Sequence, residues 1–335
     1  MSSGSAPELS SGEFRPRASL DVLRFRARMM RRVRQFFDDR GFLEVETPLL
    51  SADTVIDLHL DPLAVTLFSD PRQPAEGRRM WLQTSPEFAM KRLLAAGLPS
   101  IYQITRAFRG GERGRLHNPE FTLVEWYGVG HDLNAGMRLL SVLADTLLER
   151  GAAEPIRYRD AFVAHASVDP HRASCAQLAA AAERSGVAVP PHQSRDDRDG
   201  WLDLLLVECV EPQLGRTRPA ILYDYPPSQA ALAQVRSGDP PVAERFELYV
   251  DGIELANGYH ELLDAGELRR RNRKINQLRA AEGKYRLPEE SRLLAAMESG
   301  LPPCAGVALG FDRLVMVACG VSDISRVVAF PIERA

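Results

Sequence analysis

Residues 101–127, IYQITRAFRGGERGRLHNPEFTLVEWY, alternate from Ile101 to Arg109, break into a polar loop rich in glycine and arginine, and alternate again from Glu120 to Tyr127. Two such runs around a glycine-bearing loop predict a long antiparallel hairpin. The period of two then sorts the side chains: Phe121, Leu123, Glu125 and Tyr127 share one face, and Thr122, Val124 and Trp126 share the other with Glu120. An aromatic ring, a carboxylate and a phenol make a poor core surface but a good wall for a cationic ligand. On the first strand Arg109 falls on the face of Gln103, Thr105 and Ala107, which leaves space beside its guanidinium. A solvated hairpin with ordinary surface charges is the alternative.

With 335 residues and 45% hydrophobic content the chain can fill one large core or two medium ones without staples. Four cysteines (Cys175, Cys209, Cys304, Cys319) form no CxxC pair, and no apolar run reaches the roughly 18 residues that a bilayer requires. The amino terminus lacks the apolar core of a secretory signal, so a reduced cytoplasm is the expected location, with no membrane partner. Acidic residues exceed basic ones, 45 against 42, for a formal charge of −3, which argues against a large polynucleotide footprint.

Residues 1–18 are rich in Ser, Gly and Pro and are expected to form a mobile tail ahead of a single domain over 19–335. Leu20 to Arg40 shows helical spacing of Leu23, Met29, Met30, Val33, Phe36 and Phe37 among many arginines, with Gly41 as a stop. The strand FLEVETP follows. Residues 78–97 read as strand, cap and helix, with Thr84 and Glu87 fitting a capping box around Pro86. Residues 131–245 are expected to be a largely helical insertion. RFELYVDGIELANGYHEL predicts two strands joined by an Asp-Gly turn. Glu254 and Glu261 are seven apart, so a perfect strand points them to opposite faces; Asn257 and Gly258 offer a place for a bulge that restores convergence. Two surface acids on an edge strand are the bland alternative. HEL does not extend to a zinc-protease motif, because position 264 is Asp. GVALGFDRLVMVACG at 306–320 predicts a strand running into a helix, with Arg313 in its first turn and an anion-favouring amino end.

FRGGERGR, LHNPEF and TLVEWY together resemble the second signature motif of class II aminoacyl-tRNA synthetases, and HNPEFT followed by EWY is similar to the lysine branch. The helix and strand ending at Pro48 resemble the first motif, which builds a dimer interface, and 306–320 resembles the third, whose arginine holds the terminal phosphate of ATP. Alanine-rich PPSQAALAQ at 226–234 is similar to the elongation factor P lysyltransferases, smaller relatives in which lysyl-tRNA synthetases' serine-proline-leucine is absent. The segment before Leu20 is too short for the five-stranded anticodon barrel of a lysyl-tRNA synthetase, which agrees with that likeness.

The resemblance implies an α+β fold, an antiparallel sheet flanked by helices, and a homodimer. It implies that Arg109 bridges the substrate carboxylate and the α-phosphate of ATP and that Arg313 holds the γ-phosphate. Gly110, Gly111, His117, Asn118, Phe121, Leu255 and Gly310 would complete the ATP site, with Phe121 stacked on adenine, and Glu254 and Glu261 would hold Mg²⁺. Ser85, Pro86, Glu87, Glu125, Tyr127, Glu261 and Ala308 would form the amino-acid pocket. One departure stands out: lysine synthetases read Arg-Asn-Glu where this chain has Arg109, Gly110, Gly111 and only then Glu112. The implied activity is activation of lysine, in particular (R)-β-lysine, and its transfer to a lysine of elongation factor P, with little or no use of tRNA. Arginines of the first helix, Arg24, Arg28, Arg31 and Arg32, offer a patch for the acceptor or a solvated face. A truncated synthetase using tRNA or another amine, and a catalytically idle regulatory paralogue, are the alternatives.

Overall fold

The computed structural model describes residues 14–191 and 193–335. Of the expected tail, residues 1–13 lie outside the described residues, whereas 14–18 are docked. Ala18 is buried, the Arg17 amide donates to the Ala329 carbonyl at 2.8 Å, and Arg334 donates to the Arg15 carbonyl at 3.1 Å.

Helix α1 (Leu20–Asp38) starts where the Ser19 hydroxyl accepts from the Val22 amide, and it buries Met29, Val33, Phe36 and Phe37. Strand β1 (Leu43–Glu44) follows, then β2 (Leu50–Ser51), β3 (Ala64–Leu67) and β4 (Arg78–Leu82), the last three forming a small antiparallel sheet in the order β2-β4-β3. After α2 (Glu87–Ala95) come β5 (Ile101–Phe108) and β6 (Glu120–Val129), the expected hairpin, paired without a break from Ile101 opposite Tyr127 to Phe108 opposite Glu120. The chain continues through α3 (Leu133–Leu148), β7 (Glu154–Arg157), α4 (Tyr158–Ala166), α5 (Cys175–Arg184), α6 (Arg198–Leu205), β8 (Ala220–Tyr225) and β9 (Val235–Arg236). It closes with β10 (Val242–Val250), β11 (Ile253–His260), α7 (Ala265–Ala281), α8 (Arg292–Gly300), β12 (Cys304–Gly310) and α9 (Phe311–Cys319).

The main sheet runs β1-β5-β6-β12-β11-β10-β8-β7, with β9 alongside β10; only the β1/β5 and β7/β8 pairs are parallel. Alternation decides its two sides. Tyr102, Val124, Trp126, Phe246, Leu248, Val307 and Leu309 point to one face and pack with α1, α3 and α9 into the largest core. The opposite face packs against α2, α7 and α8 at one end and against α4, α5 and α6 at the other. Between those two helical groups the face is left open, and that gap is the site.

The 131–245 stretch is less helical than its sequence suggests. It supplies β7, β8, β9 and the first residues of β10 to the main sheet, and α3 packs into the central core. AILYDY of β8 is buried on nearly every residue, so it lacks the alternation by which a half-exposed strand is read. The Asp-Gly turn of β10 and β11 forms as expected, with Asp251 and Gly252 at φ of 55° and 76°, the two positive values that a type I′ turn needs. Among the described residues no helix is long and apolar enough to cross a membrane.

Candidate active site

The open face encloses a cavity of about 350 Å³ whose wall is the β6, β12, β11 and β10 pleat. Phe121, Leu123, Glu125 and Tyr127 line it from β6, as their period of two requires, and Arg109 lines it from the end of β5. Glu254, Asn257, Tyr259 and Glu261 line it from β11 and the residue just after it. Glu254 joins Glu261 on this face because of a bulge, but not at the expected place. Leu248 pairs with Ala256 and Tyr249 with Glu254, so Leu255 is the extra residue, while Asn257 and Gly258 pair regularly with Glu247 and Phe246. Gly258 is needed for packing instead: a Cβ there would lie 2.5 Å from the Phe246 ring.

One end of the cavity is acidic and buried. Glu125 accepts from Ser85 Oγ at 2.7 Å and from the Tyr127 hydroxyl at 2.7 Å. Ser85 Oγ in turn accepts from the Glu87 amide at 3.1 Å. This replaces the expected capping box: Pro86 takes the N-cap position of α2 with no side-chain cap, Thr84 Oγ1 is buried without a partner, and the Glu87 side chain turns inward to Lys91. Lys91 Nζ is 2.5 Å from Glu87 Oε1 and 2.5 Å from Glu261 Oε2. Burial, then the Glu87 carboxylate, lift the Glu125 carboxyl to about 7, against the bonds from Ser85 and Tyr127 and the charge of Lys91. Burial likewise pushes the Glu261 carboxyl upward, and Lys91 pulls it back. Gly306 sits in the floor, where a Cβ would meet Glu261 Oε1 at 2.2 Å and the Tyr127 ring at 2.3 Å, so no side chain fits. Ala308, paired with Glu125 on one side and Asn257 on the other, presents its methyl to the same cavity.

The other end is basic. The Arg109 guanidinium lies 4.9 Å from the Phe121 ring centroid and 3.7 Å from Glu112, and its Nε is buried without a partner. Arg313, in the first turn of α9, donates to the Glu254 carbonyl at 2.9 Å, to Glu254 Oε2 at 3.3 Å and to the Leu116 carbonyl at 3.3 Å. His117 Nε2 lies 2.7 Å from Arg313 Nη2; burial, then the Arg313 charge, depress the imidazole's proton affinity, so its ring nitrogen is suited to accept that bond. The Gly110 amide donates to the Asp61 carbonyl at 2.6 Å, and a Cβ on Gly110 would meet that oxygen at 3.2 Å. Gly111 has φ +79°. The two glycines thus let the loop turn tightly beside the segment before β3.

Some expected residues have other duties in this structure. The Asn118 side chain donates to the Glu120 carbonyl at 2.6 Å and accepts from the Ile332 amide at 3.0 Å. Leu255 buries its side chain in the core behind the sheet. At Gly310 a Cβ would meet only ordinary contacts, the Leu255 carbonyl at 3.7 Å and the Arg313 side chain.

Other residues were not singled out by the sequence. Glu247, two before Tyr249 on the cavity face of β10, accepts from the Tyr225 hydroxyl at 2.6 Å and the Tyr249 hydroxyl at 2.5 Å and pairs with Arg245. Burial, then Glu247, push the Glu254 carboxyl upward, with Arg313 opposing. Glu261 is bound by Lys91, and Glu247 is the neighbouring charge that acts most on Glu254. The alternation of Arg245, Glu247 and Tyr249 carried that signal. Among the described residues no group of three or more potential ligating side chains could hold a metal by itself. A carboxylate such as Glu254 beside an arginine nonetheless suits Mg²⁺, which takes most of its ligands from water and phosphate.

The chain matches the family model for class II tRNA synthetases (D, K and N) over residues 12–334. Two curated relatives, from Klebsiella pneumoniae subsp. pneumoniae and Klebsiella pneumoniae strain 342, are 47% and 46% identical over 325 residues, covering 96% of this chain and 98% of each relative. Both are named elongation factor P--(R)-beta-lysine ligase. The chain that places the Arg109 hairpin and the Arg313 turn on one sheet therefore belongs to the class II tRNA synthetase family of the D, K and N type.

Proposed function

We propose that this protein uses ATP to activate a diamino acid, (R)-β-lysine or lysine, as its adenylate and transfers it to a lysine side chain of elongation factor P. The observation that carries this is the polarity of the cavity. Glu87 and Glu261 share one internal ammonium at one end, with Glu125 beside them, and two arginines line the other. A ligand whose distal ammonium enters the acidic end and whose carboxylate reaches the arginines satisfies both.

In the first step a substrate carboxylate oxygen attacks the α-phosphorus, the bond to the β-phosphate oxygen breaks, and pyrophosphate leaves. No protein nucleophile is required, so catalysis rests on placement and on neutralising charge on the phosphate oxygens. Arg109 spans the carboxylate and α-phosphate, Phe121 carries the adenine, and Arg313 holds the γ-phosphate. Glu254 would hold Mg²⁺, which supplies further neutralisation of the phosphates when bound, and Glu261 would serve the amine end. In the second step the acceptor ε-amine attacks the carbonyl carbon of the adenylate, an amide forms, AMP departs and the amine loses a proton. The names of the relatives support elongation factor P as acceptor and (R)-β-lysine as substrate. A homodimer through α1 and β1 belongs to the same proposal, supported by the exposed Leu43 and Leu49 beside β1; analytical ultracentrifugation tests it.

The deciding measurement is ATP–pyrophosphate exchange with (R)-β-lysine and α-lysine. Exchange with either supports the proposal, and no exchange with both in a folded sample refutes it.

A further inference from the structure

Lys91 touches the amine end from behind the cavity wall. It lies one turn after Glu87 on α2 and is 1% exposed. Its Nζ is shared between Glu87 and Glu261, each at 2.5 Å, and sits 5.8 Å from the Tyr127 ring centroid. Burial disfavours this ammonium, but Glu261 and Glu87 more than compensate and it stays charged. The two acids come from separate elements, α2 and the end of β11, and no backbone ladder fixes their separation. The common ammonium does. It also leaves Glu125 outside the clasp, bonded only to Ser85 and Tyr127.

We propose that Lys91 is a specificity-determining residue that acts through Glu87 and Glu261, clamping the two carboxyl groups at a set spacing and supplying their one internal cation, so that the cavity selects an amino acid with two amines. This rests on the function proposed above. Three acidic groups against one lysine leave carboxyl groups to receive the ammonium groups of a diamino acid, whereas a ligand with one amine leaves a buried acid uncompensated. Without Lys91 the acids repel one another in a dry site, one takes up a proton, and the distinction between one amine and two weakens.

The test compares wild type, Lys91→Met, Glu87→Gln and the double variant Lys91→Met with Glu87→Gln. Each is assayed by pyrophosphate exchange with (R)-β-lysine and with 3-aminohexanoate, the same acid without its distal amine, together with the KM for ATP and the melting temperature. Lys91→Met is expected to raise the KM for β-lysine at least tenfold, to leave the KM for ATP within twofold, and to narrow the kcat/KM ratio between the two acids at least tenfold. Where the single variant does not fold, the double variant is expected to discriminate at least tenfold less than Glu87→Gln alone. A folded variant that keeps its ratio and only melts lower overturns the proposal, because Lys91 would then be structural. Wild type that exchanges pyrophosphate with neither lysine isomer overturns instead the function on which it rests.

Discussion

Glu125 is held at the acidic end by burial that its charge opposes. A native carboxyl near 7 against 4.5 in the unfolded chain means that the folded protein binds the proton more tightly. The group's contribution to stability is therefore full below about 4.5 and is lost as the pH rises through about 7, a difference of about 3 kcal/mol. Glu125→Gln keeps the shape and cannot ionise. It is expected to melt higher than wild type at pH 8, with the gap shrinking by pH 5.5, and to raise the KM for lysine at least tenfold because the ammonium loses its counter-charge. Thermal melts at both pH values and exchange kinetics check this; equal melting of the two proteins at pH 8 would mean that ionisation of Glu125 is not opposed. Arg109 poses the opposite case, a charge with room around it and a buried, unpartnered Nε. Arg109→Ala is expected to lower adenylate formation by about 10²–10³-fold or more while the fold survives. Wild-type exchange in that variant would remove Arg109 from the reaction. Ala308 tests shape, since its methyl lies between Glu125 and Asn257 across two ladders. Ala308→Gly is expected to shift use toward α-lysine relative to the β isomer by about 1–3 kcal/mol, read as the ratio of the two exchange rates.

At the scale of elements the site depends on a brace behind it. Asp312, on α9 next to Arg313, accepts from the Thr122 amide of β6 at 2.8 Å and pairs with Arg26 of α1 at 2.5 Å. Arg26 also donates to Thr122 Oγ1 at 2.8 Å, so three elements are pinned beside Phe121. Asp312→Ala leaves a largely buried guanidinium without its counter-charge and the Thr122 amide without its acceptor, and is expected to destabilise by about 3 kcal/mol and to raise the KM for ATP. Arg24→Ala, which breaks an exposed pair with Asp21, should change stability by no more than about 0.5 kcal/mol. Denaturant unfolding of both variants separates the cases, and equal effects would deny the brace. The hairpin, the α9 turn and the cavity face of β6 were legible in the sequence because each is set by a local period. The brace was not, since Arg26, Thr122 and Asp312 belong to three distant segments. The bulge was misplaced for a related reason: Asn257-Gly258 has the chemistry of a local irregularity, but Gly258 answers to the Phe246 ring on the neighbouring strand. Glu247 was visible as an alternating polar residue, yet only the bulge at Leu255 reveals that its charge acts on Glu254.

For the whole molecule, the position of α1 bears on the acceptor. Helix α1 packs with α3 and α9 on the sheet face opposite the cavity, so within one chain its arginines do not rim the site. Several are engaged there: Arg24 with Asp21 and Arg32 with Glu149, while Arg28 lies over the Phe25 ring. A net charge of −3, with Arg24 and Arg32 paired to acids, favours a protein acceptor that needs only a small complementary patch near the adenylate over an RNA backbone that needs a broad basic surface. Incubation with ATP, Mg²⁺ and (R)-β-lysine is expected to add one lysyl mass to elongation factor P through an amide that survives mild alkali, and to leave bulk tRNA with little base-labile label. Arg24→Glu with Arg28→Glu should keep the rate of that mass gain within about twofold, as expected for a solvated face. Loss of transfer with exchange intact would instead assign α1 to acceptor docking across a dimer. Efficient charging of tRNA with no mass gain on the protein would overturn the acceptor assignment in favour of a truncated synthetase, leaving the adenylation chemistry of the cavity unchanged.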